Sequence, residues 1–121
     1  MKQVFFVPDR GDVVRISLPS FSGSGRDARE RSPSSGRLAA VVLSAQSYNQ
    51  RVGLAILCPI TSQVKGYPFE VLIPPGLPVE GAVLADQAES FDWRAHRAER
   101  VCSLPSGAVE ETLGKLRALL A

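Results

Sequence analysis

Five short runs rich in Val, Ile and Leu, each bounded by turn residues, constrain this chain most: DVVRISL (12–18), LAAVVLS (38–44), GLAILCPI (53–60), FEVLIP (69–74) and GAVLAD (81–86). Each has the length and composition of a β-strand. Parallel neighbours would need a crossover of a dozen or more residues, usually a helix. No helical pattern of that length separates these runs, so the expected architecture is mainly β, a small closed barrel. In the first run Val14, Ile16 and Leu18 alternate with Val13, Arg15 and Ser17, as in a half-buried strand. The next two runs are apolar on both faces and belong at the centre. Turn chemistry falls between the runs at Pro8-Asp9-Arg10-Gly11, at Gly66-Tyr67-Pro68 and at Pro74-Pro75-Gly76, and residues 49–53 read as part of a hairpin.

Two segments depart from this pattern. In SGAVEETLGKLRALLA, Val109, Leu113, Leu116 and Leu120 recur at helical spacing, which predicts a C-terminal helix with one apolar stripe. Glu110 and Glu111 near its start and Lys115 and Arg117 toward its end suit the helix dipole. Residues 20–36, SFSGSGRDARERSPSSG, offer Phe21 as their only large apolar side chain and read as a flexible loop, either functional or a solvated insertion. At 121 residues, the chain (1–121) is expected to be one domain around a single core.

The formal net charge of +2 permits an anionic partner without requiring one. Arg26, Arg29, Arg31 and Arg37 make one stretch locally basic. Cys58 and Cys102 stand far apart without a CxxC, so neither a zinc site nor a disulfide framework is indicated. Pro8 and Asp9 interrupt the N-terminal apolar stretch before it reaches the length of a membrane span, and a soluble, cytoplasmic protein is expected. Phosphate-binding glycine loops, HExxH and nucleophile elbows do not occur. His96, beside Arg94 and Arg97, is a candidate general base but reads more simply as a surface residue.

What remains is a metal-free set of hydroxyl and cationic groups around CPITSQVKGYPFEVLIP, residues 58–74. A turn needs only Gly and Pro; Thr61, Ser62, Gln63 and Lys65 ask for a second explanation. Guanidinium and hydroxyl donors suit a phosphodiester, whose oxygens accept several hydrogen bonds. RNA carries its own nucleophile in the 2′-OH. Arg37 as a plain strand-edge cation and Thr61 as a plain strand residue are the simpler alternatives.

The segments VPDRGDVVRI, AAVVLS, CPITSQVKGYPFEV and AVLADQAESFDWRAHRAER resemble, in order and spacing, the MazF/PemK family of toxin endoribonucleases from bacterial toxin-antitoxin systems. The resemblance covers most of the chain outside residues 20–36. It implies an SH3-like barrel of the CcdB/PemK type with a C-terminal helix, a homodimer, and sequence-specific cleavage of single-stranded RNA without metal or other cofactor. It also implies a cognate MazE-like antitoxin whose acidic tail occupies the RNA groove.

For the site, the resemblance implies Arg37 and Thr61 as catalytic residues in a 2′-OH transesterification. Arg37 would stabilise charge on the phosphoryl oxygens, Thr61 would hydrogen-bond one of them with help from Ser62, and Gln87 would hold a base while Asp86 fixes its loop; Lys65 reads equally as a phosphate contact and as a solvated turn lysine. The family pattern reads Arg-Pro-Ala before its valines, whereas this chain reads Arg37-Leu38-Ala39-Ala40, so Arg37 falls one position early. A shift of one residue turns a side chain to the opposite face of a strand unless a bulge compensates. The family's Gly-Ser-Glu-Gln stretch is replaced by the Ser/Gly/Arg loop, with Asp27, Glu30 or neither in place of its acid. Tyr67 and Trp93 are candidates for stacking on bases or for buried anchors. Two other functions stay open: a toxin of the same barrel that inhibits a protein such as gyrase, and an RNA binder with weakened catalysis.

Overall fold

The structure, a computed structural model, describes residues 6–17 and 37–121. The expected loop at 20–36, with Asp27 and Glu30, lies outside the described residues. Among the described residues, seven strands form one antiparallel sheet: β1 (Asp12–Ser17), β2 (Arg37–Val42), β3 (Ala55–Thr61), β4 (Glu70–Leu72), β5 (Ala82–Leu84), β6 (Glu89–Phe91) and β7 (Glu99–Ser103). They follow the order β4-β5-β3-β2-β1-β7, with β6 added along β3. A short helix, α1 (Gln46–Val52), joins β2 to β3, and α2 (Ser106–Leu120) closes the chain.

Strand alternation divides the core in two. Val13, Val41, Cys58 and Val83 point to the face covered by Leu104 and, from α2, Val109. Val14, Ile16, Val42 and Leu57 point to the other face, where Trp93 closes a second cluster. Full burial of a Val or Leu side chain is worth roughly 1.5–3 kcal/mol, so both faces contribute to holding the central strands. β1 is buried on both faces at Val13 and Val14, then exposes Arg15, so its alternation shows only in its second half.

Three expectations change. The hairpin expected at 49–53 is instead the helix Gln46–Val52, ended by Gly53 in the left-handed region with its N–H donating to Asn49 O. Tertiary contacts select the helix: the fully buried Asn49 side chain donates to Pro8 O and Ser44 O and accepts from the Ser44 hydroxyl, while the Trp93 indole donates to Asn49 O. Strands β6 and β7 were not expected, because ESF and ERVCS are polar and carry no apolar run. On α2 the inward stripe is Val109, Thr112, Leu113 and Leu116, while Leu120 is 78% exposed. Glu111 and Lys115 form an i,i+4 pair at 3.7 Å, and Lys115 Nζ also donates to Pro68 O, tying α2 to the β3–β4 turn.

Cys58 lies at the centre of β3 with its thiol facing Ala85 O. Burial, reinforced by the Asp86 carboxylate, pushes this thiol from 9.0 up to about 12. Between those values the unfolded chain binds fewer protons than the folded one, so this contribution to stability is intact below about pH 9 and declines as pH rises toward 12. Iodoacetamide at pH 8 is expected to alkylate the partly exposed Cys102 first and Cys58 only after denaturant is added. Mass spectrometry of the peptides checks this; equal labelling of both in the folded protein contradicts it.

Candidate active site

β3 ends at Thr61, where the chain leaves the sheet through Gln63, Lys65 and the Gly66-Tyr67-Pro68 turn before re-entering as β4. Thr61 pairs with Ala82 of β5, and Glu70 pairs with Leu84, so Thr61, Glu70 and Leu84 share the face opposite the core under α2. On that face lies a cavity of about 340 Å³, lined by Thr61, Gln63, Lys65, Tyr67, Glu70, Leu84 and Gln87. Gln87 reaches it from the 3-10 turn Ala85–Gln87 that follows β5.

The hydrogen-bond state of Thr61 defines what it can do. Its Oγ1 accepts from Gln63 N at 3.1 Å. A hydroxyl also has one proton to give, and this proton is available to an acceptor in the cavity. Lys65 contributes a compact exposed positive charge, and Gln63 and Gln87 contribute amides that both donate and accept.

Glu70 is the group that sequence reasoning overlooked. It is 8% exposed, and its carboxylate accepts from Lys65 N at 3.0 Å, Gly66 N at 3.0 Å and Tyr67 N at 3.2 Å. The signal was present: Glu70 is the one charged residue within the strand-like run FEVLIP. Tyr67 in turn donates its hydroxyl to Asp86 Oδ2 at 2.6 Å, joining the β3–β4 turn to the segment that carries Gln87. This hydrogen bond, more than burial, raises the phenol above its ordinary value and keeps it protonated.

Of the residues expected at the site, Thr61, Lys65 and Gln87 come together in this cavity; Arg37 and Ser62 do not line it. The β2–β3 register pairs Ala40 with Pro59 and Val41 with Cys58. That pairing ends at Ala40↔Pro59, and Thr61 pairs instead with Ala82 of β5. The β1–β2 register runs unbroken from Val13↔Val41 to Ser17↔Arg37, so β2 has no bulge to re-aim Arg37. Leu38 accordingly packs with the second cluster, on the Thr61 face. Arg37 faces the other way, and its Nη2 donates to Glu99 Oε1 at 2.8 Å across β1.

Trp93 is a buried anchor, 4% exposed, with the Arg94 guanidinium 5.0 Å over its ring. Tyr67 lines the cavity at 46% exposure, with Phe69 tilted against its ring at 5.9 Å between centres. His96 sits edge-on to Phe91, 5.2 Å between ring centres, and is not part of the cavity. Among the described residues no group of three His, Cys, Asp or Glu side chains is placed to hold a metal ion, and no helix is long and apolar enough to cross a membrane.

An antiparallel sheet backed by a C-terminal helix, with a hydroxyl, a cation and amides gathered at one strand end, defines a small β domain built to engage a polar, anionic ligand. The chain belongs to the PemK-like, MazF-like toxin family of type II toxin-antitoxin systems, which it matches over residues 9–120. It is 34% identical over 115 residues to the endoribonuclease toxin MazF of Escherichia coli (strain K12), covering 95% of this chain and 96% of that one. Among solved structures it is similar to MazF of Deinococcus radiodurans, with a TM-score of 0.81 and 43% identity over 96% of this chain and 98% of that chain. A MazE-MazF structure from the same organism gives a TM-score of 0.82 at 43% identity, covering 95% and 97% of the two chains.

Proposed function

We propose that this protein is an endoribonuclease toxin that cleaves single-stranded RNA in the Thr61 cavity and is neutralised by a cognate antitoxin. The observation that carries the reading is the convergence of Thr61, Lys65 and Gln87 on one cavity in a chain of this family. The named relative in Escherichia coli is an endoribonuclease, and the Deinococcus radiodurans relative is found with MazE. A homodimer, an acidic antitoxin tail over the RNA groove, and a cytoplasmic location belong to the same reading.

In the proposed reaction the RNA 2′-OH attacks the adjacent phosphorus and the P–O5′ bond breaks, leaving a 2′,3′-cyclic phosphate and a 5′-OH. The Thr61 hydroxyl donates to a non-bridging oxygen, and the Lys65 ammonium faces the charge that develops there. The Gln87 amide holds a base edge through paired donor and acceptor. Arg37 and Ser62, on the opposite face, are given no contact with the scissile phosphate; Arg37 serves as the ion-pair partner of Glu99.

A second reading, an RNA binder that leaves the strand whole, is favoured by Leu38 occupying the Thr61 face instead of a guanidinium. One assay separates the two: a long transcript is incubated with the protein in EDTA and its new 5′ ends are sequenced. Discrete 5′-OH ends at a recurring sequence are expected. Salt-dependent binding without cleavage would assign the chain to the second reading.

A further inference from the structure

We propose that Glu70 is a positioning residue of the RNA-cleaving site: its carboxylate is an internal anion that fills a nest of backbone N–H groups and thereby sets where Lys65 and Tyr67 stand. The inference rests on the proposed function for its catalytic consequence and on geometry alone for its structural one. Three successive N–H groups, from Lys65, Gly66 and Tyr67, converge on this one carboxylate. Successive amides turned to one side form a concavity that favours negative charge. Here the protein supplies that charge itself, from a side chain almost wholly removed from solvent.

The consequence reaches both walls of the cavity. Residues 62–68 form no strand or helix of their own, so the carboxylate is the main hydrogen-bonding partner organising the middle of this turn. Fixing the Tyr67 backbone lets its hydroxyl meet Asp86, which precedes Gln87 in the opposite wall. Glu70 thus holds the Lys65 side and, through Tyr67 and Asp86, the Gln87 side. All three amides bond to Oε1, and Lys65 N is shared between Oε1 at 3.3 Å and Oε2 at 3.0 Å. A Gln side chain can keep the Oε1 bonds, but it loses the negative charge, and its amide nitrogen has no acceptor to offer in place of the shorter Lys65 bond.

The test uses Glu70→Ala and Glu70→Gln in the full chain. Hydrogen exchange followed by NMR is expected to show the Lys65, Gly66 and Tyr67 amides of Glu70→Ala exchanging about 10- to 100-fold faster, the fold-change that losing a charge-assisted hydrogen bond implies. β2 amides such as Val41 keep their protection. Single-turnover cleavage is expected to fall on the order of 100-fold, as for a misplaced catalytic group, with Glu70→Gln between Ala and wild type.

Acetate, the size of the group that Glu70→Ala removes, is expected to restore both amide protection and cleavage in that variant and to do nothing for wild type. Unchanged turn amides in Glu70→Ala, or full cleavage by it, overturns the proposal. Loss of protection throughout the sheet, without acetate rescue, also overturns it, by making Glu70 a general stability residue. If wild type cleaves no RNA, the nuclease reading fails, and the exchange and acetate measurements still decide whether the carboxylate organises the turn.

Discussion

Thr61→Ala is expected to cleave RNA roughly 100- to 1,000-fold more slowly than wild type, the usual cost of removing one donor aimed at a developing oxyanion. The hydroxyl proton is the only one that β3 itself presents at the cavity, and Gln63 N already occupies part of the oxygen's accepting capacity. Folding should survive the change. Thr61 is half-buried at the end of its strand, and the one lost hydrogen bond is worth only about 1 kcal/mol. Thr61→Ser, which keeps the donor, is expected to retain most activity. Single-turnover rates on a long RNA, with thermal melts of each variant, check the prediction, and a Thr61→Ala rate equal to wild type contradicts it.

Gly81→Ala is expected to have the largest effect on stability, about 3 kcal/mol or more, because overlap and backbone strain act at one position. Gly81 has φ of 118°, a conformation that L side chains rarely adopt. A methyl group built there would also overlap the Thr61 backbone carbonyl. That contact lies beside the Thr61↔Ala82 pair, and Gly81 O accepts from Ile73 N, so relief by movement must part β5 from β3 or from the chain after β4. Any such movement displaces Thr61. Urea unfolding should show a reduced midpoint with an unchanged slope, and the folded fraction should cleave poorly. A wild-type midpoint would show that the β3–β5 contact is loose enough to admit a methyl group beside the Thr61 carbonyl.

The sequence makes the central strands legible because β1, β2 and β3 are apolar runs bounded by turns, and α2 is legible because its apolar positions recur at helical spacing. What it hides depends on tertiary context. The α1 helix exists through the Asn49 contacts with Pro8, Ser44 and Trp93, distant in sequence or invisible to local propensity. β7 is a polar edge strand carrying Glu99 and Arg100, so no apolar run announces it.

At the site, Thr61, Lys65 and Gln87 were readable as polar residues flanking strand ends. Glu70 was overlooked because one acid inside an apolar run gives no hint of the amides that surround it. Arg37 shows a different limit. Spacing puts it near the end of β3, but the parity of an unbroken register decides its face, and that face belongs to Glu99. The pair is a surface one, with side chains 30% and 68% exposed, so it contributes at most about 1 kcal/mol.

Which side of the β2–β3 pair meets RNA is tested most directly by one comparison: cleavage of a long transcript in EDTA by wild type, Thr61→Ala and Arg37→Ala, each confirmed folded. The prediction is a loss of roughly 100-fold or more for Thr61→Ala, with Arg37→Ala within about threefold of wild type. An Arg37→Ala loss as deep as that of Thr61→Ala, or undiminished cleavage by Thr61→Ala, would contradict it.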